Sequence, residues 1–389
     1  MSDAAAPPKA RPIHTLYGGA HRFSADAVPK LGRLAREFWQ RWCAEPSDLP
    51  RFVGRPIDAP LAVAVHAAVS DKLGREPIED YRVDFEDGFG VRGDREEDEA
   101  LDRVVEALAV LSRDADRRPR WIGARVRRLV GATAARGRRT LTRLVEGLGK
   151  IGWQGDFLVT IPKVETVKEV DFFVKLLDEL EAAAGLRLHS LRGELMIESP
   201  GAVLGVDGRV VLPDLAAAAG ARLHAMHVGA YDYTGLLGVA GRAQRLDHPA
   251  VELLRQLLCL LPGVPIADGA TNLLPLPPHA APTSPAEQGA NQRVVLQATR
   301  THARHIEAAL HDGIYQGWDL HPAQVAVRYA ATYLYFREAL PEVEARLASF
   351  VRDQESATRT GAIFDDAATA QGLRTFFERG RACGALPPG

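Results

Sequence analysis

Short apolar runs typical of β-strands alternate along this chain with longer runs whose apolar residues recur at helical spacing. The candidate strands are residues 13–17, 61–66, 81–85, 121–126, 156–161, 194–197, 223–228, 264–268 and 317–320. The helical patterns between them are residues 98–111, 140–148, 164–184, 248–261 and 293–311. Such an alternation favours a parallel sheet whose strands are joined by crossover helices.

Two architectures fit this alternation, an open doubly wound sheet and a closed (β/α)₈ barrel. The presence of roughly eight strand–helix units in one chain favours the barrel. No glycine-rich dinucleotide fingerprint or P-loop follows any candidate strand, which weakens the open-sheet alternative. We therefore predict an α/β protein built as a (β/α)₈ TIM barrel over residues 13–328, preceded by a disordered segment, residues 1–12.

The chain after residue 328 departs from the alternation and predicts a helical C-terminal extension, residues 329–389. Its helical patterns are residues 329–337, 341–354 and 366–379. Residues 273–289 are rich in Pro, Ala and Ser, which predicts a surface loop able to cover a site.

Composition excludes some classes of partner. The 389 residues include 48 basic and 50 acidic side chains, so no overall positive field attracts nucleic acid or an anionic membrane. A local basic run within residues 117–139 is interpreted mostly as solvated flanks, with an anion site as the alternative. The sequence offers no membrane span and no signal peptide. Because Cys43, Cys259 and Cys383 are widely separated, we expect free thiols and a cytoplasmic protein.

One candidate strand ends in two adjacent acids. Tyr81, Val83 and Phe85 alternate along it, and Glu86 and Asp87 follow before a glycine-punctuated turn. Carboxylates at the end of a buried strand are costly to desolvate, so a metal ion, a substrate or a transferred proton must compensate for them.

Polar residues end most of the other candidate strands too. The full set is Glu86, Asp87, Arg125, Lys163, Glu198, Asp232, Asp268 and His321. In a barrel of this kind the strand ends meet at the face that carries the active site. Each residue alone has a structural explanation, because a strand-end aspartate often caps the next helix and Lys163 can simply pair with a neighbouring acid. The whole set is harder to explain by structure alone.

Hard oxygen ligands favour a divalent cation such as Mg²⁺ or Mn²⁺. Two carboxylates from separate strands leave positions for water and for a chelating 2-oxo acid or thioester, whose enolate the metal stabilises. In this hypothesis Arg125 binds a substrate carboxylate or stabilises the forming enolate, and the other carboxylates transfer protons.

Seven motifs occur in an order that spans roughly residues 13–324. They are Val83-Asp84-Phe85-Glu86-Asp87, Ala124-Arg125-Val126, Ile161-Pro162-Lys163-Val164-Glu165, Ile197-Glu198-Ser199-Pro200, Gly229-Ala230-Tyr231-Asp232, Ile266-Ala267-Asp268-Gly269 and Gly317-Trp318-Asp319-Leu320-His321-Pro322-Ala323-Gln324. This set resembles the citrate lyase β-subunit-like enzymes. Those enzymes belong with the metal-dependent 2-oxo acid aldolases, malyl-CoA lyases and malate synthases in the phosphoenolpyruvate/pyruvate-binding barrel superfamily. The resemblance implies Mg²⁺-dependent cleavage or formation of a carbon–carbon bond.

The resemblance also implies roles for individual residues. Glu198 and Asp232 fall on the metal ligands, Arg125 on the substrate-binding arginine, and Glu86 and Asp87 on the acid pair near the metal-bound water. The further substrate-binding candidates are Ser199, Gly201 and Lys163.

In the CoA-using members of that family, an aspartate near the C-terminus reaches into the site of a neighbouring subunit. The similar stretch here makes Asp365 or Asp366 the candidate. The resemblance therefore implies a homo-oligomer, a trimer or hexamer, and allows a CoA thioester as substrate.

Several positions depart from the family pattern. Asp87 stands where the free-acid aldolases carry His, which favours the lyase-like branch. Arg125-Val126-Arg127 replaces Arg-x-Asn, and Gly18-Gly19 replaces Pro-Gly after the first strand, so the substrate is expected to differ.

The sequence leaves three functions open. The leading hypothesis is a metal-dependent carbon–carbon lyase or aldolase acting on a small 2-oxo acid or acyl-CoA. The second is a malate-synthase-like condensing enzyme or a thioesterase. The third is a catalytically silent barrel that binds a metabolite, which is disfavoured because the acidic ring with Arg125 is complete.

Overall fold

The computed structural model describes residues 11–352, 358–360, 363–365 and 367–387. Eight parallel strands close into a barrel in which each strand pairs with the next along the chain and the last pairs with the first. The strands are β1 (His14–Gly19), β2 (Asp80–Asp84), β3 (Trp121–Arg125), β4 (Phe157–Ile161), β5 (Leu191–Ile197), β6 (Leu223–Val228), β7 (Ile266–Asp268) and β8 (Gln316–Asp319). The predicted (β/α)₈ barrel is confirmed.

The connections between the strands are mostly helical. The helices are α1 (Ala27–Trp42), α2 (Leu49–Val53), α3 (Ala59–Arg75), α4 (Asp94–Leu111), α5 (Ala134–Lys150), α6 (Val167–Ala184), α7 (Pro200–Val203), α8 (Leu212–Ala219), α9 (Ala230–Leu236), α10 (Pro249–Cys259), α11 (Pro285–His311), α12 (Pro322–Arg352) and α13 (Ala367–Ala382). An antiparallel pair, β9 (Thr358–Thr360) and β10 (Ile363–Asp365), lies between α12 and α13 in the chain. The predicted disordered segment, residues 1–12, lies outside the described residues except for Arg11 and Pro12.

The prediction of a strand at residues 61–66 is wrong, because these residues lie within α3. The carboxylate of Asp58 accepts a hydrogen bond from the backbone N–H of Leu61 at 2.8 Å, which caps the helix. Val65 and Val69 are then buried one helical turn apart. A short apolar run does not by itself distinguish a strand from one face of a buried helix, and the cap decides it here.

The proline-rich segment, residues 273–289, is shorter as a loop than predicted. Ser284 and Glu287 form a reciprocal capping box, so α11 already begins at Pro285. No residue of this segment, all of which the structure describes, lines the large cavity at the C-terminal end of the barrel. Its role as a cover stays a prediction.

The last barrel strand leads into α12, a helix of 31 residues. The boundary expected at residue 328 falls inside this helix, which also joins the predicted helices 329–337 and 341–354 into one. The first half of α12 is buried against α1, α3 and α11. α13 packs back on it, since the Tyr333 hydroxyl donates to the carbonyl of Cys383 at 3.1 Å. The predicted helical C-terminal part is confirmed, and it packs on the barrel through α12.

A buried network of charged side chains fills the middle of the barrel. Arg82, which is fully buried on β2, donates to both carboxylate oxygens of Glu194 on β5 at 2.9 and 2.6 Å and also bonds Asp80. Thr160 donates to Glu194 at 2.5 Å, and Thr15 donates to Asp80 at 2.9 Å. Buried charges require pairing of this kind because each alone is costly to desolvate.

No helix in the described ranges is both long and apolar enough to cross a membrane.

Candidate active site

A cavity of about 400 Å³ opens at the C-terminal ends of the barrel strands. Its wall includes Asp84, Asp87, Arg125, Glu198, Asp232 and Trp318. This is the end of the barrel at which (β/α)₈ enzymes place their active sites. The fold therefore brings four of the polar residues singled out in the sequence into one cavity.

Arg125, the last residue of β3, is held by Asp84, the last residue of β2. Its Nε and Nη2 donate to the two carboxylate oxygens of Asp84 at 2.8 and 2.6 Å, which is a bidentate pair. Asp84 also accepts backbone hydrogen bonds from Glu86 and Gly88 at 2.9 and 2.7 Å. A Cβ at Gly88 would lie 2.5 Å from Asp84 Oδ2, so this turn requires glycine. One carboxylate thus fixes both the arginine and the turn that presents Glu86 and Asp87.

Two aromatic rings flank the Arg125 guanidinium. Its central carbon lies 5.2 Å from the centre of the Tyr17 ring and 5.8 Å from that of Trp318, which are cation–π distances. The indole N–H of Trp318 donates to His227 Nδ1 at 2.6 Å, which fixes the ring plane. The third guanidinium nitrogen, Nη1, is not bonded to Asp84. It lies 3.2 Å from Glu86 Oε2 and 3.5 Å from Asp87 Oδ2.

Lys163 connects the acids of three strand ends. Its backbone N–H donates to Glu198 Oε1 at 2.7 Å, and its ammonium donates to Glu86 Oε1 at 2.6 Å. The same ammonium lies 3.7 Å from Asp232 Oδ2. Its backbone φ is 54°, a left-handed conformation that is uncommon for a residue other than glycine. The site therefore holds Lys163 in an unfavourable conformation that points its N–H at Glu198.

Glu198 and Asp232 follow adjacent strands, β5 and β6. Glu198 is 2% exposed, whereas 41% of the Asp232 side chain is exposed. Burial raises the pKa of Glu198 to about 8, and the nearby charge of Asp232 adds to the rise. A Cβ at Gly229 would lie 2.3 Å from Glu198 Cβ, so glycine there lets the two strand ends approach.

The adjacent acids Glu86 and Asp87 differ in their ionisation. Burial opposes ionisation of Glu86, but Arg125 and Lys163 outweigh it and lower the pKa of Glu86 below its usual value. Partial burial and the Glu86 carboxylate raise the pKa of Asp87 to about 6, against the opposing effect of Arg125. Two neighbouring carboxyls with separated pKa values are suited to different roles in proton transfer.

Other residues singled out in the sequence lie away from the cavity. Asp268 points to Arg255 on α10, with Oδ1 3.4 Å from Nε. His321 accepts from the backbone N–H of Ala323 at 3.1 Å and so caps α12. Ser199 is buried before α7, and neither Ser199 nor Gly201 lines the cavity. Their roles in substrate binding stay predictions.

Of the two C-terminal acids, the structure describes the backbone of Asp365 alone. The backbone of Asp365 lies in β10, opposite Thr358 of β9. Asp366 lies outside the described residues. The role of either residue in a neighbouring subunit's site stays a prediction.

The carboxylate oxygens of the cavity fit a hard cation that keeps part of its hydration shell. In the described ranges, no group of three or more His, Cys, Asp or Glu side chains is arranged to hold a metal ion. Glu198 and Asp232, which line the cavity from adjacent strands, could supply two carboxylate ligands, a number that suits Mg²⁺ completed by water and substrate oxygens. Five acidic side chains, Asp84, Glu86, Asp87, Glu198 and Asp232, also outnumber the two basic ones, Arg125 and Lys163. A cation beside Glu198 would favour the ionised form of its carboxyl group, which burial disfavours.

The sequence alone did not reveal the roles of Asp84 and Tyr17 or the buried network of the barrel. A signal was present, because Asp80, Arg82 and Asp84 alternate along β2 and share one face. Glu194, Met196 and Glu198 alternate in the same way along and just beyond β5. A polar face on a fully buried strand indicates the interior of a barrel.

Comparison with protein families gives one match. The family described as "Domain of unknown function (DUF6986)" matches residues 5–388. The chain belongs to this family. No curated protein matches the DUF6986 chain.

Several solved structures share the fold of this DUF6986 protein. A citrate lyase from Burkholderia xenovorans LB400 superimposes with a TM-score of 0.59 at 19% identity, covering 83% of this chain and 89% of that one. A malate synthase from Haloferax volcanii gives 0.51 at 15% identity, covering 97% of each chain. The CitE protein from Mycobacterium tuberculosis, in complex with magnesium, acetoacetate and coenzyme A, gives 0.51 at 14% identity, covering 95% of this chain and 97% of that one.

Proposed function

We propose that this protein is a divalent-metal-dependent carbon–carbon lyase or aldolase that acts through an enolate of a 2-oxo acid or an acyl-CoA. The observation that carries the proposal is the convergence of Glu198, Asp232 and Arg125 on one cavity at the C-terminal end of the barrel. The barrel shared with citrate lyase, CitE and malate synthase structures supports it.

Glu198 and Asp232 would hold the cation, for which Mg²⁺ or Mn²⁺ suits the oxygen ligands. The cation would supply the positive charge that stabilises the enolate oxygen. Glu198 is oriented for this task because its Oε1 already accepts the Lys163 N–H at 2.7 Å, which leaves Oε2 for the cation. Lys163 further neutralises Glu86 and keeps the acids of the wall together.

Arg125 would bind the substrate carboxylate. Asp84 occupies Nε and Nη2, so Nη1 is the group that can reach a substrate. Tyr17 and Trp318 hold the guanidinium plane, which places Nη1 without a loss of side-chain entropy on binding.

Asp87 would transfer the proton. In cleavage, a base takes the proton of the β-hydroxyl group, the carbon–carbon bond breaks, and the enolate carbon is then protonated. With a pKa raised to about 6 and 59% of its side chain exposed, Asp87 can change protonation state near neutral pH. Glu86, held ionised by Arg125 and Lys163, would keep its charge throughout.

A CoA thioester is the larger of the two substrate classes in the proposal. The CitE structure contains CoA, magnesium and acetoacetate, which supports a thioester for a barrel of this shape. The contribution of Asp365 or Asp366 from a neighbouring subunit, and the trimer or hexamer that it requires, belong to the same proposal.

A condensing reaction is the second candidate, because the same enolate site would join an acetyl-CoA enolate to a 2-oxo acid. The malate synthase fold covers 97% of this chain. Thioester hydrolysis would be a variant of this reaction.

The proposal is tested by turnover of the purified protein with Mg²⁺ and a panel of 3-hydroxyacyl-CoA thioesters and 4-hydroxy-2-oxo acids. Cleavage that EDTA abolishes and Mg²⁺ restores supports the lyase. CoA release that requires both acetyl-CoA and a 2-oxo acid identifies the condensing enzyme instead. Wild-type activity in both Glu198→Ala and Asp232→Ala would overturn the site. A crystal soaked with Mg²⁺ and pyruvate, oxalate or oxaloacetate then identifies the ligands.

A further inference from the structure

A second cavity, of about 410 Å³, lies at the opposite end of the barrel from the candidate active site. It is formed at the N-terminal ends of β3 to β6. Its wall includes Arg11, Arg120, Trp121, Leu158, Arg192 and His224. The buried network of Arg82 and Glu194 fills the barrel between the two cavities. A molecule in this cavity would therefore not reach the reacting groups.

The positive charge of this cavity is not neutralised by the acids that the structure describes around it. Arg11 and Arg192 donate to the backbone carbonyls of His224 and Leu223, at 2.9 and 3.2 Å. Asp156 is the one acid in the described wall, and it already pairs with Arg187 at 2.5 Å.

Glu194 is the carboxylate that faces the cluster from inside the barrel, and it is occupied by Arg82 and Thr160. Three guanidinium groups thus surround the cavity without a carboxylate of their own among the residues that the structure describes. Arg120 is exposed to solvent, whereas Arg11 and Arg192 are partly buried, so an accompanying anion would offset the cost of burying their charges.

Two buried polar atoms of residues that line the cavity have no hydrogen-bond partner in the described part of the chain. They are Nε of Arg192 and Nε2 of His224. Buried polar atoms are almost always paired, and the guanidinium Nε is always a donor. Burial, together with the charges of Arg379 and Arg192, lowers the pKa of Arg11 to about 10. Burial likewise lowers the pKa of His224 to about 3, so its ring is neutral and can offer Nε2–H.

The chemistry of the wall indicates the class of ligand. Guanidinium groups bind phosphate through paired, charge-assisted hydrogen bonds. The cavity is larger than inorganic phosphate alone, and Trp121 and Leu158 provide apolar surface beside the cations. Arg120 lies over the Trp121 ring at 4.6 Å, which places its charge at the edge of this surface. A phosphate group attached to a small organic body would satisfy both the cations and the apolar wall.

We propose that this cavity, formed by Arg11, Arg120, Arg192 and His224, is a binding site for a phosphate monoester. The site is separate from the one that carries the proposed reaction. Arg192 shares the inner face of β5 with Glu194 and Met196, and Glu198 follows in the same alternation. The ligand would thus bind at the N-terminal end of β5, whereas the proposed metal ligand Glu198 follows the C-terminal end of the same strand. It would act as an effector rather than as a substrate.

The test is calorimetric titration of the intact protein with inorganic phosphate and with glycerol 3-phosphate, at constant ionic strength against a chloride reference. One equivalent should bind, and the monoester should bind more tightly than phosphate. Arg192→Gln and Arg120→Gln should each weaken binding about tenfold or more, since each removes a charge-assisted hydrogen bond. Because Arg120 is exposed, its variant should fold even if the Arg192 variant does not. Arg33→Gln, an exposed arginine on α1, is the control with the same change of charge.

Three results overturn the proposal. The first is the absence of phosphate binding at millimolar concentration. The second is unchanged affinity in both Arg120→Gln and Arg192→Gln. The third is loss of binding in Arg125→Gln but not in these variants, which would assign the anion to the active-site cavity. Retained phosphate binding in Glu198→Ala, together with loss in Arg120→Gln, supports the second site even if the proposed lyase activity is absent.

Discussion

Arg125 and Asp84 form a bidentate pair at the ends of two neighbouring strands, with distances of 2.8 and 2.6 Å. Arg125 is 5% exposed and Asp84 1% exposed. Because the pair is buried and both oxygens of Asp84 are used, the guanidinium has one orientation. Removal of the acid would leave a buried charge without its principal partner.

Asp84→Ala should therefore lower the free energy of unfolding by about 3–5 kcal/mol, the cost of breaking a buried ion pair. Urea denaturation measures this. Asp102→Ala, which removes the exposed partner of Arg143, should change stability little. Equal losses in the two variants would show that the Arg125–Asp84 pair is not effectively buried.

Lys163 should tolerate glycine better than alanine. Its φ of 54° costs an L-residue about 1–2 kcal/mol that glycine avoids. Lys163→Gly and Lys163→Ala both lose the ammonium contact with Glu86, so this loss cancels in their comparison. Urea denaturation should find the glycine variant more stable by about 1 kcal/mol. An alanine variant of equal or greater stability would contradict the left-handed conformation.

Mg²⁺ should stabilise the wild-type protein because a ligand that binds only the folded state raises the free energy of unfolding. At about 100 times its dissociation constant the gain is about 2.7 kcal/mol. Glu198→Gln and Asp232→Asn should each lose most of this gain in thermal unfolding followed with increasing Mg²⁺. Asp268→Asn is the matched control, since this strand-end acid points to Arg255 instead of the cavity. Equal stabilisation of all three variants would refute the ligand assignment.

Asp268 should make stability fall as pH rises through the acidic range. Burial raises its pKa from 3.8 to about 6, against the opposing charge of Arg255. The folded protein then binds more protons than the unfolded chain between about pH 4 and pH 6, so this group's contribution decreases across that window and is constant above it. The total change is on the order of 3 kcal/mol.

The difference in unfolding free energy between wild type and Asp268→Asn, measured by urea denaturation from about pH 4 to pH 7, isolates this contribution. The variant should gain stability relative to wild type as the pH rises. A constant difference would show that Asp268 ionises normally in the folded protein.

Much of the fold could be predicted because strand and helix periods differ, and eight of the nine candidate strands match barrel strands within a few residues. The error at residues 61–66 arose because five consecutive apolar residues followed by His66 show neither the strand period nor the helix period. The separate helices expected at residues 329–337 and 341–354 were a boundary error of the same kind, because α12 continues through Pro341.

The rim of polar residues could also be anticipated, since parallel strands end at one edge. The interior ion network was missed because Arg82 and Glu194 lie 112 residues apart in sequence, and only barrel closure brings them together.

The sequence by itself determined the strand–helix alternation, the closed parallel barrel and the polar character of the strand ends, because these depend on local periodicity and on chain order. Only the tertiary structure decided which strand-end groups meet. Glu198, Asp232 and Arg125 face the cavity, whereas Asp268 points to α10 and His321 caps α12. The direction of a side chain at a strand end depends on the pleat and on the helix packed behind it, and closure of the barrel fixes both.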